Sequence, residues 1–278
     1  MILGAVSAGA GFVHPDTIRP LCRLPAERTE HEEYIPTMSQ SRIQVVFFDA
    51  ADTLFHIQGS VAEIYLQHAE RHGFRTTPDS LAAIKAAFAR SFRDAPPPVF
   101  AATEPAAIKQ SERLWWFDIV HNVFYRVGMF EKFDEFFEEV FERFAQAESW
   151  KLFPETLDVL KTLKDQGYEL GIISNFDSRL FSVLRGLGIA EYFDTITISS
   201  LAHAAKPSAR IFEQALEKHA VDPEDALHVG DSERDDVKGA VAVGLTGVLL
   251  SRGLPSGASN GTTIGTLNEL LPLLSRLQ

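Results

Sequence analysis

The hydrophobic residues of this chain change their spacing near residue 150. From residue 153 onward, short apolar runs alternate with amphipathic segments, and an earlier run, 43–48, is apolar and rich in β-branched and aromatic residues. Such runs predict strands buried on both faces of a sheet, and their alternation with helices predicts parallel strands joined by right-handed crossovers. The predicted strands are 43–48, 168–173, 193–198, 226–229 and 246–250, and the predicted helices are 154–166, 178–187, 207–219, 235–243 and 264–277. We therefore expect an α/β core with helices on both faces.

Between residues 56 and 149 the spacing is helical throughout. Three amphipathic segments precede a stripe of apolar residues at helical spacing: Phe133, Phe136, Phe137, Val140, Phe141 and Phe144. These aromatic side chains could line a substrate pocket, but packing inside a helix bundle explains the same stripe, and we favour packing. We interpret Trp115, Trp116 and Phe117 in the same way. The pattern predicts an all-helical domain, 56–149, inserted into a core made of 42–55 and 150–278.

Residues 1–41 show no sustained spacing of either kind. They mix Gly, Ala, Pro, Arg and Glu, and the apolar start lacks the basic residues of a secretory signal. The acidic residues at 30–33 argue against a transit peptide, which is normally poor in acids. We interpret 1–41 as a disordered or mis-annotated tail, with Met38 as the natural start of the protein.

Composition and charge narrow the function classes. Hydrophobic residues make up 45% of the 278 and charged residues 23%, which is typical of a globular protein. The formal net charge of −12 would repel nucleic acid and anionic membranes, so we expect neither as a partner. Cys22 is the single cysteine, which excludes an internal disulfide and favours a reducing compartment, the cytoplasm. No apolar run is long enough to span a bilayer.

Reactive side chains stand where the predicted core strands end. Asp49 follows the first strand directly, and the others follow later strands or open the next helix: Ser174, Asn175, Lys206, Asp231, Asp235 and Asp236. The carboxyl ends of parallel strands meet at one edge of a sheet, so we expect one cluster. Taken singly, each acid has an ordinary role, because turns favour Asp and helix N-termini favour negative charge. Their succession at consecutive strand ends favours a shared site.

A cluster of carboxylates needs a compensating cation. Two unit negative charges about 4 Å apart repel by about 4 kcal/mol at an effective dielectric constant of about 20. Oxygen ligands suit Mg²⁺, and Mg²⁺ together with Lys206 would attract a phosphoryl group. Asp49 could then attack phosphorus and form an aspartyl-phosphate.

Four motifs give the chain a resemblance to a known family: FFDAADTL, GIISNFD, the Lys206–Pro207 pair in AAKPSARIF, and HVGDSERDDVKGA. Together they resemble the haloacid dehalogenase-like hydrolase superfamily, in the branch with a helical cap inserted after the first strand. The resemblance runs from about Ile43 to the C-terminus, and it looks particularly like the haloacid dehalogenase-like hydrolase domain-containing group. It implies a Rossmann-like α/β core with an inserted all-helical cap, and a Mg²⁺-dependent hydrolase.

The resemblance also implies a role for each of the clustered side chains. Asp49 matches the nucleophile, and Lys206 matches the lysine that pairs with the nucleophile and the phosphoryl group. Ser174 matches the hydroxyl that binds a phosphate oxygen, with Asn175 beside it. The implied metal ligands are Asp49, the backbone carbonyl of Ala51, Asp231 and Asp236. In the family the residue at Asp236 usually orients the metal shell or the lysine, and Asp235 could substitute for it.

Ala51 departs from the family pattern. Family phosphatases carry a second Asp at this position, which protonates the leaving group and later activates water. A positioned acid or base contributes about 10²–10⁴-fold to a rate, so ordinary phosphate esters should react slowly here. Asp52 and His56 are the nearest substitutes, and a substrate with a good leaving group would need less help.

Several functions stay open at this point. We favour a phosphatase for a small phosphorylated metabolite, and the main alternative is a weakly active or non-catalytic phosphate-binding regulatory protein. A 2-haloacid dehalogenase is a weaker alternative, because family dehalogenases usually carry Tyr at Ala51 and lack the Asp231 and Asp236 pattern. Phosphonate hydrolysis would need a cap lysine, Lys85 or Lys109, and a surface position explains both lysines better.

Overall fold

The structure, a computed structural model, describes residues 43–253 and 262–277. Within these residues the strands are β1 (Val45–Phe48), β2 (Phe55–Ile57), β3 (Trp150–Leu152), β4 (Glu169–Ser174), β5 (Thr195–Ile198), β6 (Ala226–Gly230), β7 (Thr246–Leu250) and β8 (Thr262–Ile264). The α-helices are α1 (Val61–Arg71), α2 (Ser80–Asp94), α3 (Pro105–Val127), α4 (Phe133–Arg143), α5 (Thr156–Asp165), α6 (Leu180–Gly186), α7 (Ser199–Ala202), α8 (Ala209–His219), α9 (Gly239–Ala242) and α10 (Leu270–Leu277).

Strand β1 lies inside a parallel sheet. Across the described residues this sheet has six strands in the order β5-β4-β1-β6-β7-β8. β1 pairs in parallel with β4 and β6, so that Val46 stands opposite Leu170 and Leu227. Parallel sheets are covered on both faces by the helices that connect their strands, which explains why all four residues of β1 are buried. The predicted α/β core is confirmed.

Alternate residues of β1 face the two sides of the sheet. Val46 and Phe48 belong to a hydrophobic cluster that includes residues of α5, α6 and α10, whereas Val45 and Phe47 belong to a cluster that includes residues of α8. Side chains along a strand alternate between faces, so β1 packs against a helical layer on each side. This packing holds β1 in place, and with it the next residue, Asp49.

Helices α1–α4, called the cap below, pack around a group of aromatic rings. Helix α4 buries the first part of the predicted apolar stripe: Phe133, Phe136, Phe137 and Val140. The Tyr65 ring of α1 lies edge-on to Phe136, with ring centroids 6.0 Å apart. Phe141 and Phe144 continue the stripe and are partly buried. The interpretation of the stripe as packing is confirmed.

A short antiparallel ribbon flanks the cap, so the prediction that the segment from residue 56 is purely helical was wrong. β2 pairs with β3, with Phe55 opposite Leu152 and Ile57 opposite Trp150. Strands of three residues are too short for the spacing of apolar residues to reveal them, and the two strands lie far apart in the chain. The ribbon brings the two ends of the cap together.

Two segments that were predicted as single helices are only partly α-helical in the structure. Residues 235–243 were predicted as one helix, but a π-helical turn (Glu233–Lys238) precedes α9. The turn is wide because the N–H groups of Asp236 and Val237 both donate to the Ser232 carbonyl oxygen. The predicted helix 264–277 is α10 alone, and residues 262–264 form the short strand β8, which pairs with β7.

Helix α8 begins later than predicted. It starts at Ala209, with Ser208 at the N-cap position, rather than at Pro207. The preceding Lys206 backbone is held by the Asn175 side chain, through a donor and an acceptor contact. The chain therefore turns into the helix only after this contact.

Two hypotheses concern residues outside the described part of the chain. The interpretation of 1–41 as a tail, with Met38 as the natural start, falls there, and so does Cys22. Among the helices that the structure describes, none combines the length and the apolar character needed to cross a bilayer.

We expect Phe136→Ala to destabilise the protein strongly. Phe136 is fully buried, and its ring contacts those of Tyr65 and Phe124, so truncation removes apolar burial and leaves a cavity, which costs about 3–5 kcal/mol. Urea unfolding followed by circular dichroism measures the change in the free energy of unfolding. Tyr125→Ala in α3 is the control, because Tyr125 is 73% exposed. Equal losses for the two variants would contradict this account of the cap.

Candidate active site

Side chains from separate strand ends meet at the carboxyl edge of the sheet. Asp49 follows β1 and Asp231 follows β6, while Ser174 is the last residue of β4. Lys206 lies between α7 and α8. Because β1 is the shared neighbour of β4 and β6, the parallel register brings the ends of these three strands side by side. The topology therefore gathers residues that are up to 187 positions apart in the chain, Asp49 and Asp236 being the extremes.

The Lys206 ammonium joins two carboxylates. Its Nζ donates to Asp49 Oδ1 and to Asp236 Oδ1, each at 2.6 Å, and to the Ile173 carbonyl oxygen at 2.8 Å. An ammonium group has three donors, so these contacts use all of them. Lys206 is only 5% exposed, and a charge this deeply buried is tolerated when it is paired and hydrogen-bonded.

Asn175 holds the backbone of Lys206 in place. Its Nδ2 donates to the Lys206 carbonyl oxygen at 3.0 Å, and its Oδ1 accepts from the Lys206 N–H at 2.7 Å. The amide side chain is thus engaged with protein on both sides. Ser174, the preceding residue, is buried at the end of β4. The two neighbours therefore differ in their contacts, since Asn175 fixes the backbone of Lys206.

Asp236 reaches back to the end of β6. Its Oδ2 accepts from the Ser232 N–H at 2.9 Å, and its Oδ1 accepts from His228 Nε2 at 3.0 Å as well as from Lys206. Gly230 makes this approach possible, because a Cβ there would lie 2.1 Å from Asp236 Cγ. All the carboxylate oxygens of Asp236 are therefore engaged in hydrogen bonds.

His228 is a site residue that sequence reasoning missed. It is fully buried in β6, and burial lowers its pKa, so the ring is neutral at pH 7. An ionised carboxylate only accepts hydrogen bonds, hence Nε2 carries the proton that His228 donates to Asp236. The motif HVGD contains His228, but its role depends on the turn that brings Asp236 back, which the motif does not reveal.

The negative charge of the clustered carboxylates exceeds the positive charge of the lysine beside them. Burial would raise the pKa of Asp236, but the charge of Lys206 and the hydrogen bonds from His228 and Lys206 together outweigh burial, and the pKa falls below its usual range. The pKa of Asp49 is raised by burial, against the opposing effect of Lys206. Burial, with the charges of Asp49, Asp236 and Asp52, raises the pKa of Asp231 to about 7. One ammonium therefore leaves negative charge uncompensated.

The acidic cluster fits a divalent metal ion. Oxygen atoms of Asp49, Asp231 and Asp236 lie within 4.8 Å of one another, and among the described residues they form a group that could hold a metal. A divalent cation would offset the charge that raises the pKa of Asp231, and carboxylate oxygens are suitable ligands for it. Ala51 is half-buried two residues after Asp49, where its backbone carbonyl belongs to the same loop.

The substitutes considered for the missing acid lie in different surroundings. Asp52 is exposed, and its φ of +62° is in the left-handed region, while its charge contributes to the raised pKa of Asp231. His56 lies on β2, with Nδ1 2.9 Å from the Ile57 carbonyl oxygen and its ring 4.9 Å from that of Phe153. Asp52 is therefore electrostatically coupled to the cluster.

The aromatic residues of α3 have different roles. Phe117 packs inside the cap against Phe137, with ring centroids 5.0 Å apart, as expected. Trp115 Nε1 donates to the Pro96 carbonyl oxygen at 2.8 Å. Trp116 packs against the aromatic cluster of the cap as well, and its Nε1 also reaches the core, where it donates to Asp177 Oδ2 at 2.6 Å.

The sequence and the fold both match known proteins. The family model for haloacid dehalogenase-like hydrolases matches residues 43–244. The haloacid dehalogenase-like hydrolase domain-containing protein 3 of Danio rerio is 30% identical over 212 residues, which cover 76% of this chain and 86% of that protein.

Two solved structures share the fold. A HAD phosphatase from Thermococcus onnurineus has a TM-score of 0.60 and 24% identity, and the match covers 84% of this chain and 98% of that one. A 2-haloacid dehalogenase from Pseudomonas syringae has a TM-score of 0.57 and 23% identity, covering 85% of this chain and 100% of that one. The family model covers more than half of the chain, and the acidic cluster lies within the matched residues. The chain therefore belongs to the haloacid dehalogenase-like hydrolase family.

Proposed function

We propose that this protein is a Mg²⁺-dependent phosphatase that hydrolyses a small phosphorylated metabolite through an aspartyl-phosphate on Asp49. The observation that carries the proposal is the buried Lys206 ammonium, which contacts Asp49 and Asp236 at 2.6 Å each. This contact orients the Asp49 carboxylate and places a positive charge beside it, where a phosphoryl group would accumulate negative charge. We also place the protein in the cytoplasm, because of its single cysteine.

The reaction would proceed in two displacements. Asp49 uses Oδ1 to accept from Lys206, so Oδ2 is the oxygen that would attack phosphorus while the bond from phosphorus to the leaving oxygen breaks. The leaving oxygen takes a proton from solvent. Water then attacks the phosphorus of the aspartyl-phosphate, which releases inorganic phosphate and restores the carboxylate. Ser174 would bind a phosphoryl oxygen, and Asn175 would hold Lys206 in position.

Asp49, Asp231 and the Ala51 carbonyl would hold the metal ion. Both oxygens of Asp236 already accept hydrogen bonds from Lys206, His228 or the Ser232 N–H, so Asp236 is better suited to orienting the lysine than to direct ligation. When bound, Mg²⁺ would neutralise charge on the phosphoryl group.

The inserted helices would select the substrate. We propose that 56–149 works as a cap over a core of 42–55 and 150–278, and that its closure excludes water from the site. Ala51 supplies no proton at the position beside the leaving group, so the natural substrate should be one with a good leaving group, such as an acyl or aryl phosphate.

The alternatives have less support in the site. Dehalogenation could use Asp49 as the nucleophile but would not need a metal ion, so it leaves the grouping of Asp231 and Asp236 beside Asp49 unexplained. Phosphatases and dehalogenases share this fold, so the fold does not separate the two reactions. Phosphonate cleavage would need a cap lysine near the site, but Lys85 and Lys109 are exposed. A phosphate-binding regulatory protein is favoured by one observation, the presence of Ala51 where an acid would be needed for turnover.

Asp49→Asn should abolish hydrolysis of an aryl phosphate such as p-nitrophenyl phosphate. Asparagine keeps an oxygen that can accept from Lys206 but cannot act as the carboxylate nucleophile. Release of nitrophenol is measured with Mg²⁺ and with a chelator, and wild-type activity should require the metal. Phosphate and Mg²⁺ binding by a folded wild-type protein that shows no turnover would overturn the proposal and favour a regulatory role.

Ala51→Asp should increase the hydrolysis of alkyl phosphates. The introduced carboxyl group can protonate a poor leaving group, which is worth about 10²–10⁴-fold in rate, whereas an aryl phosphate should gain much less. Ala51→Asn is the matched control, since it has the same size but carries no transferable proton. If the two variants hydrolyse alkyl phosphates equally, the missing acid is not the limitation.

Asp231→Asn should remove the stabilisation of the protein by Mg²⁺. The variant loses a proposed ligand and one of the crowded charges, so its melting temperature without metal should equal or exceed that of the wild type. Mg²⁺ at about 100 times its Kd stabilises a folded protein by about 2.7 kcal/mol, and thermal melting with and without Mg²⁺ measures this shift. Asp235→Asn should keep the shift, and a full shift in Asp231→Asn would exclude Asp231 as a ligand.

A further inference from the structure

Three consecutive residues after β4 connect the core to the cap. They are Asp177, Ser178 and Arg179, called the 177–179 segment below, and each of them contacts a residue of α3 or α4. Asp177 is a buried residue, and the Arg179 side chain is 11% exposed. The segment therefore lies within the contact between core and cap rather than at the surface.

Glu112 of α3 binds the middle residue of the segment with both carboxylate oxygens. Ser178 donates its N–H to Glu112 Oε1 at 2.9 Å and its hydroxyl to Oε2 at 2.5 Å. Glu112 is only 2% exposed, and a buried carboxylate is costly unless its oxygens accept hydrogen bonds. These two hydrogen bonds therefore stabilise the position of α3 that keeps Glu112 within reach of Ser178.

Trp116 lies one helical turn after Glu112 and holds the residues on either side of Ser178. Its Nε1 donates to Asp177 Oδ2 at 2.6 Å, and its ring centroid is 5.1 Å from the Arg179 guanidinium carbon. Arg179 also donates to the Phe141 carbonyl oxygen at 3.0 Å and lies 4.2 Å from the centroid of the Phe141 ring. Arg179 is thus held between two helices of the cap.

The residues proposed to bind phosphate and to position the lysine come directly before this segment, at the end of β4 and the start of the loop that follows it. Ser174 and Asn175 lie three and two positions before Asp177, and Asn175 binds the backbone of Lys206 through both its Nδ2 and its Oδ1. Between them, Phe176 packs against Trp150 of β3, with ring centroids 5.9 Å apart. A displacement of the 177–179 segment would therefore be transmitted over a few residues to Ser174, Asn175 and Lys206.

We propose that Glu112 and Trp116 are positioning residues of the active site, which fix the 177–179 segment to the cap and thereby hold Ser174 and Asn175 in their phosphate-binding arrangement. This inference rests on the proposed function, because it concerns binding of the phosphoryl group. Neither residue touches the reacting atoms. They stabilise the arrangement of the loop that can bind phosphate, so that this arrangement is the populated one. The apparent affinity for phosphate scales with that population.

Glu112→Gln is the first test. Glutamine has one acceptor oxygen, so the two hydrogen bonds from Ser178 cannot both be kept in their present form. Since hydrogen bonds to charged groups are among the stronger ones, we expect kcat/KM for an aryl phosphate to fall about tenfold. The inhibition constant of inorganic phosphate should rise by a similar factor. A merely structural role would reduce the active fraction, and with it the apparent kcat, without changing this constant.

Hydrogen exchange provides a readout that does not depend on activity. Mass spectrometry of the peptide covering residues 174–179 should show faster amide exchange in Glu112→Gln than in the wild type, because the Ser178 N–H loses a charged acceptor. Trp116→Phe keeps a ring beside Arg179 but removes the donor to Asp177, so it should shift both readouts in the same direction by a smaller factor. Asp118→Asn, on an exposed position of α3, is the matched control and should change neither.

The outcomes separate the inference from the proposed function. A wild-type protein that neither hydrolyses the aryl phosphate nor binds inorganic phosphate would refute the proposed function before any variant is measured. With an active wild type, faster exchange together with a raised inhibition constant supports the positioning role. Unchanged exchange in Glu112→Gln overturns it, and so does faster exchange with an unchanged inhibition constant.

Discussion

The site depends on the ion pairs that the buried Lys206 ammonium makes with two carboxylates. The ammonium is surrounded by Asp49, Asp236 and the Ile173 carbonyl oxygen, which come from the ends of three different strands or the turn that follows them. Removing one partner of a buried ion pair leaves an uncompensated charge, at a cost of about 3–5 kcal/mol. The strand ends must therefore meet as a set, and the two helical layers around β1 keep them there.

Supporting residues explain how such a crowded site can be built. Gly230 lets the Asp236 side chain approach the end of β6, where a Cβ would clash. His228, within β6, donates a hydrogen bond to the same carboxylate. Asn175 performs the corresponding task for the Lys206 backbone. Gly230, His228 and Asn175 contact Asp236 or Lys206 and have no part in the proposed chemical steps themselves. The fold needs them because charged side chains are held close together in a buried place.

The site carries more negative than positive charge, and this imbalance suits a bound cation. Lys206 can neutralise one carboxylate, and Asp231 is left among negative neighbours that help to raise its pKa to about 7. The fold by itself does not choose a reaction, since a phosphatase and a dehalogenase superpose on this chain with similar TM-scores of 0.60 and 0.57. The features that bear on the reaction are local: the acidic cluster, which could hold a cation, and Ala51, whose side chain has no proton to donate.

The sequence alone determined the parts of this protein that follow from a local, repeated pattern. The run of apolar residues at β1, the strand β7 at 246–250 and the stripe of α4 are all readable in this way, because burial imposes a period on neighbouring residues. The succession of Asp49, Ser174 and Asp231 at strand ends was readable too, since a parallel sheet brings those ends to one edge.

Only the tertiary structure decided the rest. The three-residue strands β2 and β3 carry too few residues for a pattern, and they exist because distant segments pair. In the sequence, Glu112 stands among other polar residues and His228 stands within an apolar strand. Their roles appear only when Ser178 and Asp236 are brought against them. A hydrogen bond between residues far apart in the chain leaves no period in either segment, so contacts of this kind are set by three-dimensional packing alone.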